Sequence, residues 1–134
     1  MTTLCTWLLL AAVQTDLPNL EKIFMDHDRK AFVSLLSSEI RVKTDLRPIL
    51  HDYGNLSRAQ VLMAFDKLLD RFEPIASTVV NSQSDTNYSW LEFYMNVTLK
   101  DKRTGRVYEA AFAFHFKISA SEMAINRWVL QDIH

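Results

Sequence analysis

The sequence predicts an α+β domain, a curved and mostly antiparallel sheet wrapped over helices. Three observations predict it. Helical periodicity is confined to the first half of the chain, with its clearest instance between Ser57 and Pro74. After Pro74 the period changes to two and stays there. Only 2 glycines and 3 prolines punctuate the 134 residues, so the elements are long and the loops few. Helices, one strand, a long helix and then four strands joined by short turns make an α+β order.

Leu17 to His27 reads as a short amphipathic helix. Asp16 suits its N-cap, Pro18 its first turn, and Leu20, Ile23 and Phe24 share one face. A second helix follows from Arg29 to Ser37, with Ala31, Phe32, Leu35 and Leu36 inward. Glu39 to Leu46 alternates, with Ile40, Val42 and Thr44 set against Arg41, Lys43 and Asp45, and Pro48 ends this strand. Arg47 to Asn55 is expected to be a connection with its turn at Tyr53-Gly54-Asn55. Ser57 then opens the long helix. Gln60 completes a capping box, Leu56 and Val61 occupy the hydrophobic-staple positions, and Val61, Leu62, Phe65, Leu68, Leu69 and Phe72 form the inward stripe. Pro74 is expected to stop it.

Ile75 to Asn81 reads as a strand and Ser82 to Asn87 as a polar turn. From Ser89 to Lys100, Leu91, Phe93, Met95, Val97 and Leu99 take one face and Trp90, Glu92, Tyr94, Asn96 and Thr98 the other. Asp101 to Arg106, with Gly105, makes a hairpin turn. In Val107 to Ile118 the row Tyr108, Ala110, Phe112, Phe114, Phe116, Ile118 lies opposite Val107, Glu109, Ala111, Ala113, His115, Lys117. Ser119 to Glu122 turns the chain into a last strand, Met123 to Ile133, whose faces are mixed. Strands this long exceed the usual length of about five or six residues, so the sheet should bend, with its greasy face holding the helices.

Composition sets bounds. At 49% apolar and 11% aromatic the chain can bury a sizeable core, and 23% charged residues argue against disorder. The length suits one domain, placed at residues 16–134. A net charge of −1 offers no basic face for nucleic acid. No apolar run approaches the ~20 residues that span a bilayer, so an integral membrane protein is not expected. Cys5 stands alone, which excludes an intrachain disulfide and a Cys-based zinc site. The first fifteen residues, MTTLCTWLLLAAVQT, hold no charged side chain, and Leu8 to Val13 is continuously apolar. That resembles the core of a signal peptide, with Ala11 and Ala12 near a cleavage point, although no Lys or Arg precedes it. The alternative is a first buried helix. The signal reading implies export to the periplasm or medium; the helix reading implies a cytoplasmic protein.

The order of elements from Leu17 to His134 resembles the nuclear transport factor 2-like superfamily, a cone of curved sheet closed by helices. A closer similarity is to an uncharacterised family of small exported bacterial proteins with that fold. There a helix opening Ser-x-x-Gln-Ala, with a Phe-rich end, follows a short strand. Leu56-Ser57-Arg58-Ala59-Gln60-Val61 matches that opening, except that Ala59 precedes the glutamine. The superfamily includes ketosteroid isomerases, dehydratases and association domains, so the resemblance implies a pocket and frequent pairing through the sheet, and no particular chemistry.

Isomerase chemistry needs a carboxylate base beside the pocket and donors for an oxyanion. Asp45 and Asp52 lie near the place where a base would enter, while Ala110 to Phe114 carries no carboxylate. His115 is the other acid–base candidate. It shares a face with Glu109, lies within reach of Glu92 or Tyr94 across the strands, and is joined by Asp132 if the last strand pairs in that register. An outer sheet face with ordinary charge pairs explains the same residues. His27, His51, His115 and His134 have no metal-ligand spacing, so no metal or cofactor is expected. Asn-x-Ser/Thr sequences at Asn55, Asn87 and Asn96 read as coincidence.

Trp90, Tyr94 and Trp128 are candidates for an interface on the outer sheet face, the alternative being a Trp128 turned into the core. Phe65, Phe93, Phe112 and Phe114 are expected to line the cone. These features favour a non-enzymatic binding or structural module, homodimeric through the sheet, that takes a small apolar ligand or a protein partner. The competing reading is an isomerase- or dehydratase-like enzyme working in the cone through His115 or Asp45.

Overall fold

Polar side chains start each described helix. The computed structural model describes residues 18–120 and 122–134, so the leader read into residues 1–15 lies outside the described residues, as does the cap expected at Asp16. Among the described residues two short helices come first, α1 (Leu20–Met25) and α2 (Arg29–Ser34). The Asn19 and Asp28 side chains cap them by accepting from the Lys22 and Ala31 backbone N–H groups. α3 (Arg58–Arg71) has the expected capping box: Ser57 Oγ accepts from the Gln60 N–H, and Gln60 Oε1 accepts from the Ser57 N–H. Val61, Ala64, Phe65, Leu68 and Leu69 form its buried stripe.

Among the described residues six strands make one sheet in the order β2-β1-β6-β5-β4-β3. They are β1 (Val42–Asp45), β2 (Tyr53–Leu56), β3 (Phe72–Ser84), β4 (Trp90–Asp101), β5 (Val107–Ile118) and β6 (Met123–Ile133). Every pair is antiparallel except β1 with β6, which run parallel. The architecture is the α+β arrangement the period change predicts.

Three local expectations are corrected. Tyr53-Gly54-Asn55 is not a turn but most of β2, paired with β1 from Val42↔Leu56 to Asp45↔Tyr53. This short edge strand is largely exposed and therefore has no alternation to read. Helix α3 passes into β3 without a loop. Phe72 is already extended while its N–H closes the helix on the Leu68 carbonyl, so Pro74 lies inside the strand instead of stopping the helix. A register shift between Pro74 and Ala76 on this edge strand tolerates the missing N–H. Finally, β3 continues to Ser84, and the turn narrows to residues 85–89, where the Asp85 carboxylate accepts from the Ser89 N–H and hydroxyl.

The mixed faces of β6 have a cause. Register shifts between Ala111 and Phe112, and between His115 and Phe116, leave Asn126 and Gln131 without partners in the ladder. Each bulge inverts the alternation, so Ile125, Trp128, Leu130 and Ile133 follow the inward residues of β5 despite their unequal spacing. At the Asp101–Arg106 turn, Gly105 takes φ +74 while its N–H donates to the Asp101 carbonyl at 2.7 Å.

The inward faces meet α1, α2 and α3 in one core. Phe24 of α1 contacts the rings of Phe32, Phe65, Phe112, Phe114 and Trp128, with centroids 5.5 to 6.4 Å away. Phe32 stacks on Phe65 at 4.1 Å. Outside this core, Asp66 ties the helices together, accepting from Arg29 Nε at 2.9 Å and lying 3.2 Å from His27 Nε2. Glu21 covers part of the β3 edge by accepting from the Val79 N–H at 2.8 Å.

Candidate functional site

Because strand side chains alternate, each candidate falls on one of two faces or at a strand end. The four phenylalanines expected to line the cone are all in the packed core: Phe65, Phe112 and Phe114 are fully buried and Phe93 nearly so. Phe93 meets Phe116 edge to face at 5.5 Å, and Phe65 packs against both Phe24 and Phe32. Among the described residues the buried polar side chains are Ser37, Thr44 and Asp101. The Thr44 hydroxyl is used by its own strand, donating to the Val42 carbonyl at 3.0 Å.

Asp45 belongs to the outside. Val42 and Thr44 take the inward positions of β1, and Asp45 forms a bidentate ion pair with Arg47 at 2.8 to 2.9 Å. The Arg47 hydrogen bonds hold its carboxyl down at about 2. Arg47 in turn lies 4.2 Å over the Tyr53 ring. Both belong to an outer cleft of about 360 Å³ that also includes Lys43 and Arg127. Asp45 therefore does not reach the cone interior, and Asp52 is engaged by Lys67 at 2.8 Å.

His115 is on the outer face, directly across from Glu92 on β4 and Arg127 on β6. Its Nδ1 is 2.6 Å from the amide oxygen of Asn126, and its ring stacks on Trp90 at 5.5 Å. Asp132 pairs with Ala111 and does not join it. The orienting group is thus an amide from a bulge, a partner that strand alternation does not predict.

Trp128 is corrected most sharply. It is 0% exposed, on the helix side, stacked on Phe114 at 5.5 Å and in contact with Phe32 and Phe112. The bulge at Asn126 puts it there. Trp90 and Tyr94 keep the outer face, half-buried over a low floor that includes Ala111, Ala113 and Val129. A hydrogen bond to Glu92 pushes the Tyr94 hydroxyl above the usual tyrosine range.

A further site lies at one end of the sheet. There the end of α3, the start of β3, the start of β5, the end of β6 and the β1–β2 loop converge. Pro48, Ile49, Arg71, Phe72, Arg106, Val107, Tyr108, Ile133 and His134 line a cleft of about 370 Å³. The Phe72 and Tyr108 rings meet edge to face at 6.1 Å and 83°. Behind it Asp101, 2% exposed, accepts from the Arg103 N–H at 2.8 Å and lies 3.4 Å from Arg71 Nη2. The Arg103 hydrogen bond, aided by the Arg71 charge, holds Asp101 below the usual carboxylate range, so it is ionised. Sequence reasoning does not single out this cleft. Its one linear signal is a cation beside a ring at two element ends, Arg71-Phe72 and Arg106-Val107-Tyr108.

Among the described residues, a six-stranded sheet packed with three helices, in this strand order, defines the chain as a protein of the nuclear transport factor 2-like fold. The Delta 5-3-ketosteroid isomerase from a Mycobacterium species superposes with a TM-score of 0.66 at 14% identity, over 92% of this chain and 91% of that one. A Mycobacterium tuberculosis protein, in complex with estradiol-17beta-hemisuccinate, gives 0.64 at 10% identity over 84% and 90%. A DUF4783 family protein from Bacteroides uniformis gives 0.64 at 4% identity over 83% and 91%. At these identities the likeness is one of fold. No family model and no curated protein matches the sequence. Among the described residues no helix is long and apolar enough to cross a membrane.

Proposed function

We propose that the chain is a non-catalytic binding protein whose ligand is a small, largely apolar molecule seated in the end cleft. The observation that carries this reading is the cleft's floor. Tyr108, braced edge to face by the buried Phe72 ring, offers with Pro48, Ile49, Val107 and Ile133 an apolar surface at the mouth of a core already filled by rings. A cleft of about 370 Å³ is within the usual size for small-ligand sites, ~300–1,000 Å³. The bound ligands of two neighbours, estradiol-17beta-hemisuccinate in one and trimethylamine in a Catenulispora acidiphila protein, fit a fold used for small molecules.

Isomerase-type chemistry finds less support. It asks for a carboxylic acid kept protonated to donate to an oxyanion. Asp101, the one buried carboxylate among the described residues, is held ionised instead. Neither Asp45 nor His115 faces the core.

A titration followed by amide NMR, with 4-phenylbutanol as a neutral apolar probe, tests the reading. Saturable shifts are expected at Ile49, Phe72, Val107, Tyr108 and Ile133, and Tyr108→Ala should weaken binding about tenfold through lost ring contact. Shifts confined to other surfaces, or none, reject the end cleft.

The outer sheet face is proposed as the homodimer contact, now resting on Trp90 and Tyr94 without Trp128. Both rings are half-buried and stand over small side chains, the profile of an interface core. Replacing both with Lys is expected to halve the mass seen by light scattering while circular dichroism stays unchanged. A wild-type monomer, or a variant that keeps the dimer mass, ends this proposal.

A further inference from the structure

The end cleft is apolar in its floor and cationic at its rim, and no carboxylate side chain lines it. Resting on the binding role proposed for that cleft, we infer that its ligand is amphipathic: an apolar body carrying a carboxylate, which Arg71 and Arg106 hold. The two guanidinium groups are set by the same ring pair. Arg71 Cζ lies 5.1 Å from the centre of the Phe72 ring, and Arg106 Cζ lies 5.2 Å from that of Tyr108. A cation on a ring face is held by the ring's negative quadrupole while its N–H edges stay available for a planar, two-oxygen acceptor.

Neither arginine is fully used by the protein. Arg71 Nε is buried and has no hydrogen-bond partner, and the contact from its Nη2 to Asp101 is long, 3.4 Å. Nε is closed to solvent, so a ligand oxygen would meet the outer part of the guanidinium, on a side chain that is 40% exposed. Arg106 forms no ion pair with any described carboxylate. Asp101, the nearby negative charge, is already committed to the Arg103 N–H and the β4–β5 turn. Two permanent positive charges at the rim, with no carboxylate side chain in the lining, favour an anion there. Arg106 stands on the Tyr108 ring, so the acid group would sit close to an apolar body laid against Tyr108.

The test compares 4-phenylbutyrate with its neutral isostere 4-phenylbutyramide by calorimetry and amide NMR, on the full chain. The acid is expected to bind at least about tenfold more tightly, as charge-assisted hydrogen bonds allow. Arg106→Gln should close most of that gap by weakening the acid far more than the amide, and added salt should narrow it. Arg71→Gln should do the same; because it also leaves Asp101 without its cation, Arg106→Gln is the deciding variant if Arg71→Gln fails to fold. Equal binding of acid and amide at the cleft overturns the carboxylate inference and leaves the apolar binding role standing. Loss of cleft shifts with both probes overturns both. Binding of inorganic phosphate as tight as that of the acid would mean that the arginines take a bare anion, which also overturns the amphipathic ligand.

Discussion

Replacing Trp128 with alanine is expected to destabilise the fold by about 4 kcal/mol, inside the usual range for truncating a buried tryptophan. Few side chains here are better placed for so large an effect. Trp128 is fully buried, stacked on Phe114, and touches rings from α1, α2 and β5. Removing it opens a void that helices and sheet cannot both close on. Trp128→Phe supplies the contrast. It keeps a ring and deletes an indole N–H that is buried without a partner, so it should cost about 1–2 kcal/mol. Urea unfolding followed by circular dichroism measures both. A loss below about 1.5 kcal/mol for the alanine variant would show that Trp128 does not join the layers, and the bulged register of β6 would be wrong.

A lysine at position 112 should prevent folding, whereas a lysine at position 111 should leave the monomer intact. One residue separates them. Phe112 is fully buried against Phe24 and Trp128, so Phe112→Lys both removes a ring and brings an ammonium into apolar surroundings, a combined cost above about 5 kcal/mol. Ala111 is on the outer face opposite Asp132, where a lysine meets an opposite charge and water, so Ala111→Lys should change stability by less than about 1 kcal/mol. Thermal melts and one-dimensional proton spectra of the two variants decide it. Equal damage, or a folded Phe112→Lys, contradicts the assignment of the two sheet faces.

Most of the framework is legible because it depends on local chemistry. The capping box of Ser57 and Gln60 is written within four residues, and the alternation of β4 and β5 is regular because both strands are paired on both sides with one face dry. The features that escape a linear reading need a neighbour. β2 exists because β1 offers it hydrogen bonds, not because Tyr53-Gly54-Asn55-Leu56 favours a strand. The end of α3 differs from expectation because extended backbone at Phe72 is stabilised by pairing with Asp101, a partner far along the chain. Trp128 reads as one of the outer aromatics because a bulge at Asn126 reverses the faces of the residues beyond it, and a bulge leaves no local mark.

The candidate site shows the same division. Tyr108 is legible as an inward residue and His115 as an outward one. The end cleft is not, since Ile49, Phe72, Arg106 and Ile133 are distant in sequence and become neighbours only where several elements end together. The sequence by itself determined which residues alternate, where the helices are capped and that one face of the sheet is greasy, since these depend on the period of the backbone and on short-range hydrogen bonding. Tertiary structure alone decided which strand ends meet, which bulges reset the register and how two arginines come to stand on one pair of rings, because contacts between distant segments are set by the packing of the whole core.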